Sequence, residues 1–115
     1  MKVSITAGKH TVYAELYDNA AARQIYEKLP ATWPMLNLYG REMCCRMGAG
    51  SLPATEAAAT GYKIGDISYW PPAGCLVILY EQNGEVFDQQ PIGRTDDDIS
   101  FFAGMTDTDV IWKKA

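Results

Sequence analysis

A chain of 115 residues, 48% apolar and 21% charged, has material for one core and not for two, and its composition excludes a disordered segment. A net charge of −4, with basic residues scattered singly apart from Lys113 and Lys114, repels phosphate backbones, so no nucleic-acid partner is expected. No apolar run reaches membrane-spanning length, and the start, MKVSITAGKH, lacks the charged-then-apolar pattern of a signal peptide, so a cytoplasmic protein without a membrane role is expected.

In chain order, Val3 and Ile5, then Val12, Ala14 and Leu16, alternate on either side of Gly8-Lys9, which predicts an N-terminal β-hairpin. Asp18 is placed to cap a helix over NAAARQIYEKL, where Ala22, Ile25, Tyr26 and Leu29 recur at helical spacing and Pro30 stops the run. Met35 to Tyr39 and Glu42 to Met47, divided by Gly40, read as a second antiparallel pair. GAGSLPATEAAATG then reads as a long surface connection with a helical turn near Ala54 to Ala59.

Two more strands are expected at Asp66–Trp70 and Cys75–Glu81, separated by Pro71-Pro72, which cannot continue a ladder. Asn83-Gly84 is a turn signal before EVFD, and PIGR is a short extended segment. DDDISFFAG reads as a short helix, acidic at its start and ending at Gly104. DTDVIWKK closes the chain as a strand with Val110 and Trp112 on one face. Seven or eight short strands with two short helices predict one mainly β domain over residues 1–115, a closed or nearly closed antiparallel barrel in which closure removes exposed sheet edges.

YKIGDISYWPPAGCLVILY, followed by PIGR, a short helix and DVIWK, resembles the bacterial and archaeal cyclophilin-like proteins. The earlier order, a hairpin, a helix ending LPATWPM and then LYGREMCC, fits the same pattern, so the resemblance covers nearly the whole chain. Its most specific parts are Gly65-Asp66-Ile67 and Ile92-Gly93-Arg94. The resemblance implies a cyclophilin-like, closed antiparallel β-barrel of about eight strands with one or two short helices covering its open ends. It does not imply prolyl isomerisation: the Phe-His-Arg and Phe-x-Met-Gln segments of true cyclophilins are missing, and His10 lies beside the first hairpin turn.

Catalytic signatures are weak. His10 is the only base for a Ser-His-Asp arrangement, and GAGSL lacks the second glycine of a nucleophile elbow. AGKHT has Val3 where a phosphate-binding loop needs glycine, and a strand follows where that loop needs a helix. Asp96, Asp97 and Asp98 with Asp107 and Asp109 match no calcium loop and read as a helix start and a solvated turn. Cys44, Cys45 and Cys75 contain no C-x-x-C pair, and neighbours along a strand point to opposite faces, so they read as buried structural thiols. No catalytic residue, metal or cofactor is therefore expected.

Arginines and aromatics carry the functional expectation. Arg41, Arg46 and Arg94 suit carboxylate binding or stacking on a ring, against an ordinary role in surface ion pairs. Along Asp66–Trp70, Tyr69 and Trp70 face opposite sides, so one is core and its neighbour more exposed; Tyr62 and Tyr80 are read likewise as packing or rim. The leading expectation is a non-catalytic binding domain whose groove, rimmed by Tyr69, Trp70 and Pro72 with Arg46 or Arg94, accepts a small molecule or an extended peptide. The alternatives are a divergent peptidyl-prolyl isomerase and a homodimeric interaction module using an exposed aromatic face.

Overall fold

The computed structural model describes all of residues 1–115. Strands β1 (Lys2–Ala7) and β2 (His10–Leu16) form the predicted hairpin, with Val3, Ile5, Ala7, Val12, Ala14 and Leu16 turned inward and buried. Helix α1 (Ala20–Glu27) follows, burying Ala21, Ala22 and Ile25. Its cap is Asn19 rather than Asp18: the Asn19 carboxamide oxygen accepts from the Ala22 amide at 2.8 Å, while Asp18 pairs with Arg23.

Strand β3 (Ala31–Leu38) begins well before the expected Met35. Its first half pairs with the last strand, β9 (Thr108–Lys114), and only Leu36–Leu38 pair with β4 (Glu42–Arg46), so Pro34 sits where one side of the strand has no neighbour. A short strand β5 (Ala58–Thr60) replaces the expected helical turn: it pairs with β8 (Phe87–Arg94), and this ladder overrides the helix propensity of the alanines. Strand β6 (Asp66–Trp70) lies as predicted and β7 (Cys75–Leu79) ends two residues before the expected Glu81, while the Phe87-Asp88 half of EVFD and PIGR merge into the single strand β8. Asn83-Gly84 does not make a hairpin, because β7 and β8 are not neighbours. The helix of DDDISFFAG is a 3-10 turn, Ser100–Gly104, that buries Phe102.

The sheet runs β2-β1-β9-β3-β4-β7-β6-β8, and β8 returns to β2, so eight antiparallel strands close into a ring with β5 appended to β8. Trp112, Tyr69, Met35, Met43 and Ile78 fill the interior and are essentially inaccessible to solvent. No helix is long and apolar enough to cross a membrane.

Closure is short and sterically tight. Leu16 faces Gly93 and Glu15 faces Arg94, and the Thr95 hydroxyl donates to the Tyr13 carbonyl at 2.7 Å. A methyl group on Gly93 would stand 2.5 Å from the Glu15 carbonyl oxygen and 2.9 Å from the Leu16 side chain, so only glycine lets the two strands meet. Gly65, at φ +99°, is equally constrained: its Cβ would fall 2.2 Å from the Thr95 carbonyl oxygen, while its own carbonyl accepts from the Thr95 amide at 2.9 Å. Gly93→Ala is expected to lower stability by about 1–3 kcal/mol in urea denaturation. Gly104→Ala, with nothing within 4 Å of its Cβ, is expected to stay within about 0.5 kcal/mol of the parent.

Candidate functional site

Alternation along three neighbouring strands sets the site. On β4, Met43 and Cys45 join the main core, which leaves Glu42, Cys44 and Arg46 on the outer face. On β7, Leu76 and Ile78 point in while Cys75, Val77 and Leu79 point out; on β6, Tyr69 points in and Trp70 out. Every residue of β7 is buried because a second apolar layer covers its outer side. Cys44, Tyr62, Cys75, Val77 and Leu79 form that layer, with Leu38 and Phe87 packed on it.

The connection from β7 to β8 is tied over this face. The Tyr62 hydroxyl donates to the Glu81 carbonyl at 2.7 Å and accepts from the Asn83 amide at 3.0 Å, and its ring meets Phe87 edge-on at 6.0 Å. Beside it lies a cavity of about 540 Å³. Leu38, Cys44, Cys75 and Val77 contribute to its lining with Tyr39, Trp70, Ala73 and Phe87, and its charged groups are Arg41, Glu42, Arg46 and Glu85.

The two arginines of the cavity differ in commitment. Arg41 is buried; its Nε donates to Glu42 at 2.8 Å, and its remaining nitrogens pair with Glu42 and Glu85. Its guanidinium also lies 5.3 Å from the Tyr39 ring centre and 5.1 Å from that of Phe87. Burial works against the charged guanidinium, but the bonds to Glu42 and then the charges of Glu42 and Glu85 outweigh it and raise the Arg41 pKa. Burial pushes the Glu42 carboxyl up, and Arg41 only partly draws it back. Arg46, in contrast, is exposed and forms no ion pair.

Of the arginines and aromatics singled out from the sequence, Arg41, Arg46 and Trp70, the last 38% exposed, come together at this cavity. Tyr69 faces the ring interior, 1% exposed, with its hydroxyl 3.0 Å from that of Ser51. Pro72 lies on the exposed turn, and its neighbour Ala73 lines the cavity. Arg94 lies at the closure seam, 2.9 Å from Asp66 and 3.0 Å from Asp96, beside a separate shallow cleft with Tyr17 and Lys63. His10 stacks on Phe101 at 4.2 Å. The acidic run is taken up by backbone amides: Asp97 accepts from Tyr13 and Asp98 from Ser100, which draws the Asp98 carboxyl down.

Sequence reasoning missed Glu42, Glu85, Tyr39 and Phe87. The adjacent pair Arg41-Glu42 was the available signal, because Arg41 falls on the turn and Glu42 on the outer face.

The sequence matches the Cyclophilin-like family over residues 5–112. The chain belongs to the cyclophilin-like family. Among solved structures it is similar to the hypothetical protein AF2241 from Archaeoglobus fulgidus, known in solution, with a TM-score of 0.73 and 15% identity over 100% of this chain and 95% of that one. That likeness concerns the fold. None of the curated proteins matches the sequence.

The Arg41–Glu42 pair is buried on both sides, with side chains 9% and 6% exposed, so removing one partner strands the other charge. Arg41→Met is expected to destabilise the domain by about 3–5 kcal/mol in urea denaturation, and Arg41→Met with Glu42→Met to recover most of that loss.

Proposed function

We propose that this cyclophilin-like domain is a binding module whose outer-face cavity takes a small molecule or an extended peptide segment with an apolar body and one anionic group. The observation that carries the reading is Arg46, exposed and unpaired at a largely apolar and aromatic cavity whose other charged groups, Arg41, Glu42 and Glu85, pair with one another. Arg41 is held by Glu42 and Glu85, so the charge left for a ligand is that of Arg46. A volume of about 540 Å³ suits an occupant of a few rings or two to three side chains. Trp70, which like Arg46 pairs in register with Cys75, offers the apolar body an indole at the same cavity. Prolyl isomerisation has only the shared fold in its favour, and fold is a weak warrant for chemistry.

The reading divides ligands by charge. The probe 2-naphthoate, an apolar ring with one carboxylate, is expected to shift the backbone resonances of Arg46, Trp70 and Phe87 in a nuclear magnetic resonance titration. Arg46→Ala should weaken it about tenfold, as loss of a charge-assisted hydrogen bond does, and leave the neutral 2-naphthamide unchanged. Trp70→Ala should weaken both, and Arg94→Ala neither. Equal binding of naphthoate to the Arg46→Ala and parent proteins would remove the proposed anion site.

A further inference from the structure

Cross-strand pairing brings together two cysteines that lie far apart in sequence. Cys44 faces Val77 and Arg46 faces Cys75 across β4 and β7, so the two thiols are diagonal neighbours on the same outer face. Both are free, buried and part of the cavity lining, whereas Cys45 points into the main core. We propose that Cys44 and Cys75 form a two-thiolate site for a soft monovalent metal ion of the copper(I) class at the floor of this cavity.

Geometry and charge select the ion. Diagonal neighbours have Cα atoms roughly 7–8 Å apart, beyond the usual reach of a disulfide but suited to a two-coordinate ion standing between the sulfurs. No third acidic, histidine or cysteine ligand joins them in a metal-holding group, which disfavours zinc, an ion that takes four ligands in closed sites and three protein ligands in catalytic ones. Thiolates favour copper(I) among the common ions. The binding step is Cu⁺ + 2 RSH → [Cu(SR)₂]⁻ + 2 H⁺; no atom changes oxidation state.

The complex carries one negative charge, and Arg46, directly opposite Cys75 in register, is the unpaired cation that balances it. Without an ion, two adjacent thiolates in this layer would repel. A cation between them reverses the sign of that interaction.

The site shares Arg46 with the anion-binding reading but rests on the floor thiols, and the cysteine variants and a copper(I) probe distinguish its failure from the failure of that reading. The test is anaerobic titration with copper(I) against the chromophoric chelator bathocuproine disulfonate. One tightly held ion per chain is expected, with two protons released per ion in weakly buffered solution at pH 7. Cys44→Ala and Cys75→Ala should each abolish chelator-competitive binding, and Cys45→Ala should retain it. Arg46→Ala should weaken binding about tenfold, whereas Arg46→Lys should retain most of it. Copper K-edge absorption of the parent protein supplies a readout that does not depend on any variant folding: coordination by two sulfurs is expected. Wild-type affinity in a Cys44→Ala/Cys75→Ala protein, or coordination dominated by nitrogen or oxygen, would overturn the assignment.

Discussion

An eight-stranded ring encloses a space only wide enough for side chains, and here Trp112, Tyr69, Phe102 and the two buried methionines Met35 and Met43 fill it. The cavity lined by Cys44, Trp70 and Phe87 lies instead on the outside of the sheet, and its walls follow from how that outer face is covered. Most outward residues on β1 and β2 are polar or half-exposed, as a solvated sheet face requires. Those on β4 and β7 are different: they are buried beneath a second layer, and the cavity opens where that layer ends.

Arg41 organises the boundary of that layer. Its backbone carbonyl accepts from the amides of Tyr80 and Glu81, which fixes the path of the chain leaving β7. Its guanidinium reaches Glu85 further along the same connection and lies over Phe87 at the start of β8. One side chain thus ties the β3–β4 turn to both ends of the covering segment. A buried ion pair adds little net stability when compared with well-packed apolar groups. Its contribution here is positional: it holds the aromatic wall of the cavity while its own charge is taken up by Glu42 and Glu85, and so leaves Arg46 as the cavity's one unpaired cation.

The parts of the fold legible in the sequence are those whose physics is local or steric. Gly65 and Gly93, which carry the family resemblance, are the positions where a Cβ would collide with the Thr95 and Glu15 carbonyl oxygens, so ring closure writes itself into the sequence as glycine. The continuous apolar run Cys75–Tyr80 likewise reports a strand buried on both faces, although it reads in sequence only as a strand. What was not legible depends on long-range register. Tyr69 and Trp70 are chemically alike, and only the pairing of Tyr69 with Leu76 and Trp70 with Cys75 decides which faces the core. Arg94 has the composition of a ligand-binding arginine, yet β6 places Asp66 opposite it and the seam absorbs its charge. Ala58–Thr60 is a strand solely because β8 offers an edge at Gln89.

The same dependence on register explains why the thiols looked inert from the sequence. Cys44 and Cys45 are adjacent in the chain and separated by the sheet; Cys44 and Cys75 are remote in the chain and share a face. That face carries Arg46 as its one uncommitted cation, and a single positive charge balances a single negative one. A carboxylate at the rim and a copper-dithiolate at the floor would both draw on it. Occupation of the floor leaves the rim without its counter-charge and so disfavours an anionic occupant, whereas a neutral apolar one is affected only by the space the ion takes. The two proposed occupants of the cavity would thus be coupled through Arg46, in a direction fixed by charge alone.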